Sequence, residues 1–132
     1  IAAARAVAEA ARRACGAGHA LKLILETGEL ATPERIRAAA DLGIAAGVDF
    51  LKTSTGKVKV NATPEAAAIL LDAIAAHGGR CGLKAAGGIR RLEDAAAYLQ
   101  LARERLGDAW ITPVHFRIGA SALYDELMAL LA

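Results

Sequence analysis

Four short apolar runs alternate with five alanine- and leucine-rich stretches of helical spacing, and this alternation limits the possible folds more than any other property of the sequence. The apolar runs are LKLILE (21 to 26), VDFLKTS (48 to 54), CGLKA (81 to 85) and HFRIGA (115 to 120). Helical patterns cover residues 1 to 15, 33 to 46, 64 to 77, 92 to 106 and 121 to 131. Thr32-Pro33-Glu34 and Thr63-Pro64-Glu65 repeat one start signal, an N-cap hydroxyl followed by proline at the first helical position. Gly16, Gly18, Gly47, Gly78, Gly79 and Gly107 stand where helices should stop. Strands alternating with helices of this length imply parallel βαβ units. An open doubly wound sheet and a (β/α)₈ barrel both fit. A barrel takes about 250 residues, and this chain has 132 in a single domain spanning residues 1–132. Four βα units preceded by a helix make half of one.

The composition suits a packed interior. The chain is 55% hydrophobic and 23% charged, which excludes a disordered chain. A net charge of +2 without a basic block gives no nucleic-acid surface. Cys15 and Cys81 have neither metal-site nor disulfide-framework spacing and read as small apolar residues in a reducing compartment. Charged residues interrupt every apolar stretch, so no membrane span is expected, and no signal-peptide pattern is seen. The expected location is cytoplasmic. The chain opens on Ile1 rather than methionine, which fits a fragment, a processed product or a trimmed chain.

Two lysines sit at the ends of apolar runs. In 48 to 54, a two-residue period groups Val48, Phe50, Lys52 and Ser54 on one face and Asp49, Leu51 and Thr53 on the other. In 81 to 86, Gly82, Lys84 and Ala86 share a face. Both lysines then lie at the carboxyl ends of parallel strands, where α/β folds keep their active sites. Neighbouring strands are about 4.8 Å apart, so two ammonium groups at one height repel. Like charge and desolvation both favour the neutral amine, a nucleophile that forms Schiff bases with carbonyls. One such lysine alone reads best as a side chain reaching for solvent; two at equal depth read better as chemistry. Three glycine-containing turns follow the strands: Thr55-Gly56-Lys57, Gly87-Gly88-Ile89-Arg90 and Gly119-Ala120-Ser121. Glycine lets backbone N–H groups approach a ligand, and Lys57 and Arg90 add positive charge. Three such turns at one end of a sheet point to phosphate.

KTSTGK (52 to 57), NATPE (61 to 65), GLKAAGGIR (82 to 90) and FRIGAS (116 to 121), with LKLILETGEL (21 to 30), resemble the deoxyribose-phosphate aldolase family. The ordered set spans nearly the whole chain and matches the carboxyl-terminal half of that family's (β/α)₈ barrel, from its helix 4 through its helix 8. The resemblance implies a class I aldolase that cleaves 2-deoxy-D-ribose 5-phosphate to glyceraldehyde 3-phosphate and acetaldehyde, with no metal and no cofactor. It places Lys52 at the Schiff-base position and Lys84 at the second lysine, which lowers the pKa of the first. Thr55, Gly56, Lys57, Gly87, Gly88, Arg90, Gly119 and Ser121 match positions around the substrate, chiefly its phosphate. Lys22 matches a polar position on the family's fifth strand. The family's catalytic aspartate lies on strand 4, outside this chain, as does the tail that can supply a tyrosine. Ala85 and Ala122 replace a common proline and a common serine. Two rivals remain: a Schiff-base aldolase for another sugar phosphate, and a half-barrel that binds phosphate without turnover.

Other residues carry weaker signals. Glu26 can pair with an interior lysine or simply form a turn. His19, His77 and His115 read as surface or strand-end residues, Trp110 and Tyr124 as packing residues, and Asp41, Asp72, Glu93 and Asp94 as solvated helix faces. Four strands leave two open edges, and exposed edges promote association. The expected partners are a small sugar phosphate and either a second copy closing a full barrel as a homodimer or a complementing amino-terminal half. No nucleic acid or membrane partner is expected.

Overall fold

A computed structural model describes all 132 residues. The elements are α1 (Ala2–Cys15), β1 (Lys22–Ile24), α2 (Thr27–Leu30), α3 (Pro33–Ala45), β2 (Phe50–Lys52), α4 (Pro64–Ala76), β3 (Gly82–Ala86), α5 (Leu92–Leu106), a 3₁₀ turn at Asp108–Trp110, β4 (Phe116–Gly119) and α6 (Ala122–Leu131). The strands form one sheet in the order β1-β2-β3-β4, and every pair is parallel. The expected half of a (β/α)₈ barrel is therefore what the chain forms. No helix is long and apolar enough to cross a membrane.

The two start signals act as expected. The Thr32 hydroxyl accepts from the Arg35 N–H, and the Thr63 hydroxyl from the Ala66 N–H, with proline at the first helical position of α3 and α4. Each hydroxyl satisfies one of the N–H groups a helix start leaves open.

Packing divides the sheet into two faces. Leu51, Leu83 and Ala85 point toward the helices and join Ile36 and Ala40 of α3, Leu70, Leu71 and Ile74 of α4, and Tyr98 and Ala102 of α5. Burial of this apolar face supplies most of the driving force for the fold. The opposite face carries the charged side chains, with Phe50 buried among them. Register places Lys22 beside Phe50, Phe50 beside Gly82, Lys52 beside Lys84, and Lys84 beside Arg117. Residues in register on parallel strands point the same way, so this face carries four cations. At its foot, the Arg117 guanidinium stacks over the Phe50 ring at 4.4 Å from the ring centroid.

Helix α1 lies beside α3, with Ala8 buried against Leu42 and Ala46. One ion pair secures it. The Arg12 guanidinium donates to Asp49 Oδ2 at 2.7 Å, and also to the carbonyls of Gly16, Gly47 and His19. Asp49 Oδ2 also accepts from the Leu21 N–H at 2.6 Å. Burial works against ionising Asp49, but the Leu21 N–H and Arg12 outweigh it and hold its carboxyl below the usual value.

The structure corrects three expectations and adds one element. The β2 strand begins at Phe50, so the two-residue period does not reach Val48, which sits in the helix-facing core with Leu51 instead of sharing the face of Phe50. Ser54 lies past the strand end and is fully buried, so it does not join Lys52 on the open face. A single helical turn, α2, interrupts the segment between β1 and α3. Tyr124 is 62% exposed and does not pack into the core.

Candidate active site

The carboxyl ends of β2, β3 and β4 open into a cleft of about 390 Å³. Lys52, Lys84, Thr55, Gly56, Gly87, Gly88, Arg90, Gly119 and Ser121 all line it. Nine of the eleven residues expected at a site thus come together. Lys22 lies on the same face of the sheet, one step toward the amino end, with its ammonium 6.0 Å from the Phe50 ring centroid and outside the cleft. Lys57 is exposed and also outside it.

The two central lysines are direct partners in the β2–β3 ladder, and both are half-buried. The pKa of Lys84 is lowered, first by burial and then by the charges of Lys22, Lys52 and Arg117. A glycine makes room for this side chain. A Cβ at Gly119 would come within 2.8 Å of Lys84 Cε and 2.9 Å of Ala86 Cβ. Only a bare backbone there lets the Lys84 stem run along the sheet.

Backbone conformation turns the loops into donors. Gly56, Gly87 and Gly88 have φ of 87°, 93° and 78°, in the region that favours glycine. Their N–H groups, and that of Ser121, have no backbone acceptor. Ser121 is the N-cap of α6, and its side chain makes no capping bond, so that helix start is open toward the cleft. Free N–H groups, a helix N-terminus and Arg90 together make a site that favours an anion. Asn61 packs behind Gly87, where a Cβ would meet its side chain at 2.8 Å.

Two residues that the sequence did not reveal as site residues hold this architecture. The fully buried Thr53 hydroxyl donates to the Ala86 carbonyl and accepts from the Ala86 N–H, both at 3.0 Å. It ties the end of β3 to the end of β2. Glu26, expected to pair with a lysine or to form a turn, does form a turn but binds no lysine. Its carboxylate accepts from the Thr55 N–H at 3.1 Å and from the Thr55 hydroxyl at 2.6 Å. Both contacts span large sequence separations and leave no local pattern. No three His, Cys, Asp or Glu side chains gather as a metal-ligand set.

The sequence profile of the DeoC/LacD family of aldolases matches residues 3–126. The chain belongs to this family. A deoxyribose-phosphate aldolase from Agrobacterium fabrum is 52% identical over 130 residues, covering 96% of this chain and 50% of that protein. Among solved structures, a Toxoplasma gondii ME49 protein provisionally named deoxyribose-phosphate aldolase is 28% identical with a TM-score of 0.86, covering 96% of this chain and 50% of the other. The deoxyribose phosphate aldolase of Aeropyrum pernix, described as a tetramer, is 26% identical with a TM-score of 0.70, covering 98% of this chain and 49% of the other. The DeoC/LacD chain thus spans about half the length of the relatives it matches.

Proposed function

We propose that this chain carries the Schiff-base half of a class I deoxyribose-phosphate aldolase, corresponding to the carboxyl-terminal half of the family barrel. The observation that carries the reading is the Lys52–Lys84 pair, in register at the mouth of a glycine-lined cleft.

In this reading the neutral Lys52 amine attacks the C1 aldehyde of 2-deoxy-D-ribose 5-phosphate. The carbinolamine loses water to give an iminium. A base takes the proton of the C3 hydroxyl, the C2–C3 bond breaks, and its electron pair passes into the iminium to form an enamine. Glyceraldehyde 3-phosphate leaves. Protonation of the enamine at C2 and hydrolysis then release acetaldehyde and restore the amine. Lys84 stands beside Lys52 in register, and its own pKa is lowered by burial and by Lys22, Lys52 and Arg117. The free N–H groups of Gly56, Gly87, Gly88 and Ser121, with Arg90, hold the phosphate. Lys22 and Lys57 act from outside the cleft, through charge. The base is not among the residues lining the cleft, which include no carboxylate. It fits the strand-4 aspartate implied by the family resemblance.

A second reading exchanges the lysines. Lys84 is the amine whose pKa is lowered, which favours it as the nucleophile. Mixing the protein with acetaldehyde, reducing with borohydride and mapping the adduct by mass spectrometry separates the two. An adduct on Lys52, absent in Lys52→Leu, supports the first reading; an adduct on Lys84 alone supports the second. No adduct with phosphate binding intact favours a half-barrel that does not turn over. Turnover compared across sugar phosphates then tests the substrate.

The site works in a closed barrel, and helix count favours one closure. Five helices of ten or more residues accompany four strands. A barrel takes one helix per strand, so two copies would bring two surplus helices, with α6 of one and α1 of the other competing for each seam. A complement of four strands joined by three helices fills both seams without crowding and brings the missing carboxylate.

A further inference from the structure

Thr55 has no donor left for a ligand. Its N–H and its hydroxyl hydrogen both go to Glu26, and its oxygen accepts from the Lys57 N–H at 3.1 Å. A residue placed in the cleft by motif is therefore spent on holding a turn. Its partner stands in an unusual conformation, because Glu26 has φ 53° and ψ 62°, the left-handed region that side-chain-bearing residues rarely adopt. Such strain persists where surrounding structure enforces it and is concentrated at functional sites. Here the neighbouring Thr27 N–H donates to the Thr53 carbonyl at 3.0 Å, fixing the β1 end beside the β2 end. From that anchor the Glu26 carboxylate reaches across to the next loop.

Resting on the phosphate reading of the cleft, we propose that Glu26 is a positioning residue for the anion site. It clamps Thr55 so that the Gly56 N–H, which follows immediately, is presented to the phosphate with no competing acceptor. Thr55 is then the keystone of the turn and not a phosphate ligand. The placement runs against simple electrostatics, since a carboxylate near a bound phosphate weakens it. Position and charge therefore make opposite predictions, and substitutions can separate them.

The probes are inorganic phosphate, followed by calorimetry, and acetaldehyde with borohydride, followed by mass spectrometry. Glu26→Asn keeps a residue that tolerates the left-handed backbone but is too short to hold Thr55. Its expected effect is phosphate binding about tenfold weaker, the loss of one charged hydrogen-bond pair, with trapping of acetaldehyde on the active lysine unchanged. Glu26→Gln keeps an acceptor for the Thr55 N–H and removes the charge, so phosphate binding should equal or exceed that of the parent chain. Thr55→Val should mimic Glu26→Asn. If both Glu26 variants bind phosphate more tightly, the carboxylate is only a repulsive charge and the proposal is overturned. Unchanged affinity in Glu26→Asn overturns it equally. If Glu26→Asn loses acetaldehyde trapping and thermal stability together with phosphate, the role is general folding and the proposal also fails. A parent chain that binds no phosphate would instead sink the reading of the cleft.

Discussion

Lys52 and Lys84 occupy matching rungs of neighbouring parallel strands, on a face that also carries Lys22 and Arg117. That face holds four positive charges, and its acidic neighbour Glu26 is turned away to Thr55. Burial and repulsion from Lys22, Lys52 and Arg117 together lower the pKa of Lys84.

The first consequence concerns pH. Lys84 binds its proton less tightly when folded, because of burial and of Lys22, Lys52 and Arg117. An amine with a lowered folded pKa opposes folding at pH below that pKa, and the penalty fades as pH rises toward the unfolded value of about 10.4. Lys52→Met and Lys22→Met should each shift the Lys84 titration upward, as followed by NMR of ¹³C-methylated lysines. A Lys84 titration that stays put in both variants would remove the electrostatic coupling.

Gly119→Ala tests the room made for Lys84. The added methyl would meet Lys84 Cε at 2.8 Å and Ala86 Cβ at 2.9 Å. Overpacking of this kind costs about 1–3 kcal/mol. Denaturant melts should show that loss, and trapping of acetaldehyde should fall because the Lys84 stem is displaced. A stable variant with undiminished trapping would mean that the Lys84 stem has another path.

Thr53→Val replaces a hydroxyl by a methyl at nearly constant volume. It leaves the buried Ala86 N–H and carbonyl without the partner they share. The expected cost is about 1–3 kcal/mol, with Thr53→Ser close to the parent. Equal melting midpoints for Thr53→Val and the parent would show that this bridge between β2 and β3 is dispensable.

The Arg12–Asp49 pair links α1 to the amino ends of β1 and β2. Arg12→Ala should destabilise by about 1 kcal/mol, the value of a partly exposed pair with its added backbone bonds. The Asp49 carboxyl is held below its ordinary value in the fold. Its contribution is therefore present above the usual carboxylate range and is lost as pH falls through the folded pKa. Acid melts of the parent and Asp49→Asn should converge at low pH and separate near neutrality. Parallel curves across that range would refute the linkage.

Much of this architecture is written locally. The Thr-Pro-Glu starts at 32 and 63 place two helices to the residue, because capping depends on neighbours three positions apart. The period of two within β2 and β3 puts Lys52 and Lys84 on one face, because pleating alone decides it. Val48 escaped that logic because the strand starts after it. The turn α2 escaped because four residues are too few to show a helical period. Glu26 and Thr55 are 29 residues apart, so their pairing exists only once β1 and β2 lie side by side.

The open edges make the last prediction. The groove beside β1 is lined by Val7, Ala8, Leu21, Leu23, Ile24 and other apolar residues, and beyond β4 the groove between α5 and α6 is lined by Leu92, Leu99, Ile118 and Leu127. Leu130 and Leu131 are 68% and 80% exposed. Apolar surface next to an unpaired strand edge drives association. In dilute solution the isolated chain should therefore sediment as a concentration-dependent mixture. Adding a separately produced amino-terminal half of the Agrobacterium fabrum relative should convert it to a one-to-one complex, since four strands and three helices then fill both seams. The Lys52→Leu chain should form the same complex without forming the borohydride adduct. A compact monomer that unfolds cooperatively and ignores the added half would show that the four-stranded sheet is complete in itself.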